Sequence, residues 1–404
     1  MAGAGTSTKR ASKSIGQLLL FLFMVSPAAS DTRIYVTIAG HIEDEPVYAN
    51  CDAYPAFRSN LLHFAELMRT RGLTCNLQID YEFLHGTHNC ETEDMRAETG
   101  GTNLIHYLAT YYGFEIDAHQ EGGVEEGLDN YADVRYLGGL LTTNMSECVG
   151  GLVWNDPPQF AHLANGENGW LYPHFKWFPE VLTLAVSQVH RSSDFSKDDI
   201  ASGVWKPKGA GTNFWAHNPA ERMIYVGPGE NFSWGRVTPM MTTPEFVQYL
   251  ADGLQAETIP TGRMYTATLT IPQSIIFNTN EHARLIAMLD AIEPCILSGQ
   301  AEYVTYSEAV EIWENEYAGE PNIYHRPDVQ PWYQTRCDSQ GLIMDWYGIG
   351  ERVYTIEETT NLFDSVWPAV PGYESITGQY DVITLTNYFG SEDIGIYRVR
   401  ATTE

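Results

Sequence analysis

Two histidines and a run of carboxylates sit at the ends of short apolar segments, where side chains from separate parts of a chain can meet. Residues 34–39 lead directly into His41, Ile42, Glu43, Asp44, Glu45 and Pro46. A second apolar segment ends at Asp80, Tyr81 and Glu82, and a third carries Glu115, Asp117, His119 and Glu121. Imidazole nitrogens beside carboxylate oxygens are a donor set for a divalent metal, and the same groups do acid–base work. His41, Glu43, Asp44 and His119, at two such ends, form the candidate site. Plainer roles stand beside this one. Glu45 suits a helix cap, a lone His119 suits a hydrogen-bonded core position, and His85 and His88 read as loop residues. Glu115 and Asp117 point the same way along their segment, toward an interior or toward solvent.

The elements that must position these groups follow from periodicity. Residues 34–39 form a short β-rich apolar run, which predicts a buried strand. Residues 60–71 carry a helical apolar stripe ended by Gly72. A strand is predicted at 75–79, a helix at 103–112 stopped by Gly113, and a third strand at 114–118. Strand followed by helix, repeated, is the pattern of a parallel sheet or barrel. Between 149 and 234 the pattern loosens as Gly, Pro, Asn and Trp interrupt every run. It resumes with a helix at 244–255, a strand at 264–271, a helix at 281–292, a strand at 302–306 and a helix at 307–317. Few of these strands alternate as a half-solvated sheet would, which points to strands covered on both faces. The reading is α/β: a distorted (β/α)7-type barrel over 31–318, with an open doubly wound sheet as the alternative. In either fold functional groups gather at the C-terminal ends of the strands.

Residues 319–339 are rich in Pro and lack periodicity, so they read as a linker. Beyond them, 353–357, 382–386 and 395–399 alternate as half-buried antiparallel strands. A small all-β sandwich over 340–404 is the simplest module, with Trp346 and Trp367 to fill its core.

Composition narrows the partners. Lys9, Arg10 and Lys13 precede an apolar run from 15 to 25, and Ala28, Ala29 and Ser30 follow it. That order predicts a secretory signal over 1–30, too short to span a bilayer, and a secreted, cell-surface or periplasmic protein. Taking its three basic residues from 23 leaves 20 Lys+Arg against 52 Asp+Glu, a charge near −32 on the mature chain. Such a surface repels phosphate backbones and anionic lipids, so no nucleic acid and no membrane insertion are expected. Six cysteines in an exported chain read as structural. Cys51 and Cys90 are expected to pair, because both should leave the same end of the sheet. Six of the ten tryptophans (Trp154, Trp170, Trp177, Trp205, Trp215, Trp234) crowd the irregular middle with Asn155, Asp156, His174 and His217. This suits a cleft for a polysaccharide or oligosaccharide, or alternatively the packing of long loops.

Residues 43–46 are similar to the Asp-Asp-Gly-Pro that closes the first strand of polysaccharide deacetylases. Ile116, Asp117, Ala118 and His119 resemble their second motif, and 301–317, with Trp313 and Tyr317, resembles the last strand and helix of that barrel superfamily of deacetylases and glycosidases. The resemblance covers roughly 31–318. By position it implies Glu43 as catalytic base, Asp44 as metal-binding aspartate and His119 as first metal histidine, around a divalent metal, zinc by expectation. Two departures stand out. The family's second histidine falls at Gly123, and its base is an aspartate where this chain has Glu43. His41 or Glu121 then replaces the missing ligand, or the barrel does other chemistry. Three functions are therefore expected: a metal-dependent polysaccharide deacylase, a glycosidase using Glu43 and Asp117, or a non-catalytic glycan-binding protein.

Overall fold

A computed structural model describes residues 33–43, 46–120, 130–151, 157–183, 201–230, 241–326, 333–337, 341–348, 352–359, 366–377, 381–388 and 396–403. The signal segment 1–30, Asp44, Glu45, Glu121 and Gly123 lie outside the described residues. The first part of the chain is a nearly closed barrel. Its strands are β1 (Ile34–Ile42), β2 (Asn76–Ile79), β3 (Glu115–His119), β4 (Met145–Gly150), β5 (Val181–Thr183), β6 (Ser202–Trp205), β7 (Ile224–Pro228), β8 (Tyr265–Ile271) and β9 (Ala301–Tyr303). The hydrogen-bonded order is β8-β1-β2-β3-β4-β5-β7-β6, and β9 lies beside the first residues of β1. Among the described residues, every pairing in this path is parallel except β6 with β7.

Every residue of β1, β2 and β8 is buried, yet their chemistry alternates. Ile34 and Val36 pack outward with Phe246, Leu250 and Ile292, whereas Tyr35 and Ala39 face inward with Cys148, Val181 and Val226. In β8, Tyr265 and Ala267 join the outer layer while Thr266, Thr268 and Thr270 are buried between them. The inner face of the barrel is therefore polar in part. This alternation belongs to a strand with helices on one face and a polar interior on the other.

Side chains close the barrel where the ladder does not. The Gly203 amide donates to Thr266 Oγ1 at 2.7 Å, and that hydroxyl donates to the Gly227 carbonyl at 2.5 Å. The Thr266 amide in turn donates to Ser202 Oγ at 2.9 Å.

The helices are α1 (Tyr54–Thr70), α2 (Tyr81–Cys90), α3 (Glu93–Glu98), α4 (Leu104–Tyr111), α5 (Tyr131–Leu141), α6 (Pro157–Asn165), α7 (Thr243–Gln255), α8 (Gln273–Ile276), α9 (His282–Leu297) and α10 (Tyr306–Glu316). Sequence periodicity anticipated α1, α4, α7, α9 and α10 but not α2. Asp80 caps α2 by accepting the Phe83 amide at 2.9 Å, so His85 and His88 are helical and not loop residues. Gly86 is required within α2 because a Cβ there would lie 2.1 Å from the Tyr48 carbonyl oxygen. The start of α10 packs Tyr306, Ala309 and Trp313 among Tyr35, Ile224 and Met264, which fills the end of the barrel where β1 begins. Among the described residues no helix is long and apolar enough to cross a membrane.

Cys51 and Cys90 form a disulfide with Cα atoms 4.9 Å apart. It fastens the segment after β1 to the last residue of α2. Cys75, Cys148 and Cys295 are buried free thiols.

The C-terminal part is a small antiparallel module of β10 (Tyr333–Cys337), β11 (Gly341–Gly348), β12 (Arg352–Thr359), β13 (Ile376–Thr377), β14 (Asp381–Tyr388) and β15 (Ile396–Thr403). These form two three-stranded sheets, β10-β11-β14 and β13-β12-β15. Met344, Tyr354, Ile356, Val370 and Leu385 make its core. Trp367 is half-buried beneath Arg398, 4.5 Å from the guanidinium carbon to the ring centroid, so it covers an edge of the module. Within 319–339 the described residues make contacts on either side. Tyr324 bridges Ser202 on the barrel, Arg326 pairs with Glu230, and β10 already belongs to the second module.

Candidate functional site

β1 and β3 end on the same side of the barrel, because both run parallel to β2 between them. In-register pairing sets His41 opposite Gln78, and Gln78 opposite Asp117, with His119 two residues beyond. Alternation then turns His41, Gln78, Asp117 and His119 to one face. All four are buried, with His119 1% exposed and Asp117 fully enclosed.

Just past β1, the chain returns Glu43 over the two histidines. Glu43 Oε2 lies 3.0 Å from His119 Nε2 and 3.8 Å from His41 Nδ1. The imidazole centroids are 5.1 Å apart with planes at 64°. One ligand atom from each of His41, Glu43 and His119 falls within 4.8 Å of the others. Burial lowers the pKa of His41, opposed by the nearby Glu43 carboxylate. Burial also pushes the Glu43 carboxyl up, but hydrogen bonding and charge from His119 and His41 outweigh it and hold the group well below the usual carboxylate range. An anionic carboxylate beside buried imidazoles is the protonation state a cation requires of its ligands.

The surroundings of the two histidines are closely packed. Gly151 has φ +90, and a Cβ on it would stand 2.4 Å from the Gln120 carbonyl oxygen and 2.6 Å from His119 Nε2, so only glycine fits beside that nitrogen. Gln78 lies over Gly150, where a Cβ would meet its Oε1 at 2.1 Å. Glu43 is held from the neighbouring strand's loop. Gln273, the first residue of α8, accepts the Glu43 amide at 3.0 Å and the Tyr48 hydroxyl at 2.6 Å through one oxygen.

Asp117 has different partners. It accepts from Asn76 Nδ2 at 2.9 Å and from Ser146 Oγ at 2.5 Å. The same Asn76 donates to Glu115 at 2.8 Å, and Glu115 accepts the Ser307 amide at the start of α10. Burial first, then the charge of Glu115, raises the Asp117 pKa well above the usual carboxylate range. Asp117 is thus anchored to the barrel's inner framework, one side-chain layer below His119.

The structure therefore gathers His41, Glu43 and His119, leaves Asp117 in a separate network, and does not describe Asp44 or Glu121. Sequence reasoning missed Gln78, Gly151 and Gln273. Gln78 carried a readable sign, since Asn76 and Gln78 put a polar side chain at every second position of a buried strand and Asp80 continues that spacing just past its end. The tryptophan-rich middle also resolves in part. Trp177, Trp205 and Trp215 are buried, Trp154 and Trp234 lie outside the described residues, and Trp170 is 51% exposed. His174 packs against Tyr136, and His217 Nδ1 accepts the Lys206 amide at 3.1 Å.

No family model matches the chain, and no curated protein does. Among solved structures it is similar to 4-alpha-glucanotransferase from Thermococcus litoralis, with a TM-score of 0.41 and 12% identity. That similarity covers 72% of this chain and 41% of the other, so this chain spans well under half of that enzyme's length.

Proposed function

We propose that this protein is a divalent-metal-dependent hydrolase that removes acyl groups from a polysaccharide, with His41, Glu43 and His119 as the residues that hold the metal. The observation that carries the reading is the approach of Glu43 Oε2 to both histidines, at 3.0 and 3.8 Å, on the end of the barrel where β1 and β3 terminate. Two imidazoles and a carboxylate suit zinc and leave positions for water and substrate.

When bound, the cation would polarise the acyl carbonyl and lower the pKa of water. The chain's own residues do the rest. Burial keeps His41 neutral, and Gln273 fixes the backbone of Glu43 so that its carboxylate stays over the imidazoles. Glu43 would then be a ligand, and Asp44, the next carboxylate in the chain, would accept the proton released by the attacking water. This exchanges the two roles that the deacetylase resemblance implies. His41 supplies from β1 the ligand that the family draws from the position of Gly123.

The acyl-polysaccharide assignment is supported by the motif likeness at 43–46 and 116–119 and by the strongly negative charge, which favours neutral or cationic polymers. Export is part of the proposal, and the Cys51–Cys90 bridge supports it. The paired-carboxylate glycosidase gains no support from Asp117, whose oxygens are engaged by Asn76 and Ser146.

Elemental analysis of the purified mature protein tests the reading, together with acetate release from an acetylated polysaccharide. A near-stoichiometric metal, activity lost to chelation and restored by zinc, and acetate without new reducing ends are expected. A metal-free preparation that still releases acetate would overturn the metal assignment. New reducing ends without acetate would establish a glycosidase instead, and glycan binding without turnover a binding protein.

A further inference from the structure

After α6 the chain makes a short hairpin, in which Glu167–Asn168 pairs antiparallel with Lys176–Trp177. Its tip is built around one buried carboxylate. Asp133, in the first turn of α5 and 2% exposed, accepts the backbone amides of Trp170 at 2.8 Å and Leu171 at 2.9 Å through Oδ2, and that of Tyr172 at 2.9 Å through Oδ1. A Cβ on Gly169 would lie 2.2 Å from Asp133 Oδ1, so the backbone approaches the carboxylate as closely as glycine allows. Asn130, the N-cap of α5, donates to the Asn168 carbonyl at 3.2 Å. Three charge-assisted hydrogen bonds in a buried setting make a rigid turn.

What this turn presents is apolar. Trp170 is 51% and Leu171 60% exposed, and Trp177, Trp205, Trp215 and Trp313 are all buried. Behind them, the Tyr172 ring rests 4.3 Å from that of Tyr136, and its hydroxyl meets that of Tyr81 at 3.5 Å. Tyr81 directly follows Asp80 and opens α2, and α5 is the helix that follows β3. The N-terminal ends of these helices lie where β2 and β3 finish, the rim that carries Glu43 and His119. The exposed Tyr111, Leu140 and Leu297 sit instead at helix C-terminal ends, toward the opposite face.

We propose that Trp170 is a remote sugar subsite, on which one ring of a neutral polysaccharide stacks while another part of the chain reaches His41, Glu43 and His119. This rests on the hydrolase reading. An indole face matches the C–H face of a pyranose, and Leu171 extends the apolar surface. Prior fixation of the turn's backbone by Asp133 lowers the cost of ordering this segment on binding. Two residues expose too little apolar area for a stable protein interface, and the negative surface disfavours an anionic membrane.

The full mature protein and its Trp170→Ala, Trp170→Phe and Asp133→Asn variants test this with acetylated xylo-oligosaccharides of graded length. For Trp170→Ala, kcat/KM should fall about tenfold on long chains and stay unchanged on the disaccharide, with Trp170→Phe restoring most of the loss. Asp133→Asn should lie between. An unaltered length dependence in Trp170→Ala, with the wild type still active, would overturn the subsite and leave the hydrolase standing. Wild-type protein without metal or acetate release would overturn the hydrolase, and calorimetric binding of the long oligosaccharide, lost in Trp170→Ala and regained in Trp170→Phe, would still uphold stacking. Trp170-dependent dimerisation or binding to neutral lipid vesicles would assign the turn to another partner.

Discussion

Glu43 Oε2 lies 3.0 Å from His119 Nε2, although the two residues belong to strand ends separated by β2 and four helices of sequence. The contact exists because β1 and β3 run in parallel on either side of β2, so their C-terminal ends share a rim. It also settles which carboxylate faces the imidazoles among the described residues. Replacing Glu43 with Gln should therefore weaken zinc binding by at least about a hundredfold, since the anionic oxygen is lost and a neutral amide remains. Asp44→Asn should keep the metal and lose turnover. Calorimetric zinc titration beside acetate release checks both. The opposite pattern would return the two residues to the roles implied by the resemblance.

Gln273 touches no substrate in this scheme, and its influence passes through the Glu43 backbone and Tyr48. Gln273→Leu removes the shared acceptor, and zinc affinity should drop about ten- to a hundredfold, as for other residues that orient metal ligands. Gln273→Glu keeps an acceptor oxygen at the same place and should restore most of the affinity. A loss that tracked only thermal stability, without rescue by Glu, would show that Gln273 merely packs α8.

The Cys51–Cys90 bridge closes a loop with a sequence separation of 39 residues. Replacing both cysteines with Ser should lower stability by about 2–4 kcal/mol through the greater freedom of the unfolded chain. Urea unfolding of the double variant against the oxidised wild type measures this, and equal midpoints would mean the bridge constrains nothing.

Barrel closure depends on Thr266, whose hydroxyl serves Gly203 and Gly227 at once. Thr266→Val preserves shape but leaves the buried Gly203 amide without its acceptor, at a cost of about 1–3 kcal/mol. Chemical denaturation should show a lower midpoint with an unchanged slope. An unchanged midpoint would place the closure elsewhere.

Glu167, at the base of the hairpin, is pushed up to about 7, by burial first and by the charge of Asp133 second. Its ordinary value is 4.5, so between about 4.5 and about 7 the folded protein holds a proton that the unfolded chain has released. Stability from this group therefore falls as pH rises through that window. Thermal unfolding of wild type and Glu167→Gln from pH 4.5 to 8 isolates the effect, and the difference between their curves should change with pH in that direction. Parallel curves would remove Glu167 as the cause.

Much of the architecture was legible locally. Residues 34–39 and 264–271 read as buried strands, and 60–71, 103–112 and 307–317 as helices, because periods of 2.0 and 3.6 are properties of short segments. β8 alternates Thr with Tyr, Ala, Leu and Ile, and β2 alternates Asn and Gln with Leu and Ile. Such alternation resembles a half-solvated strand, and only closure of the sheet makes its polar side an interior. α2 was not legible because Gly86 weakens its helical pattern, and the reason for that glycine is the Tyr48 carbonyl from another segment.

For the site, sequence alone placed His41, Glu43 and His119 at strand ends, since alternation and strand boundaries are written locally. The Cys51–Cys90 pairing, one expectation among fifteen connectivities of six cysteines, was decided by the structure. Tertiary structure decided that Glu43 turns toward both imidazoles, that Asp117 joins Asn76 and Ser146 beneath them, and that Trp205 is enclosed while Trp170 is held outward. Those outcomes depend on strand register and on contacts between distant segments, which no short window of residues contains.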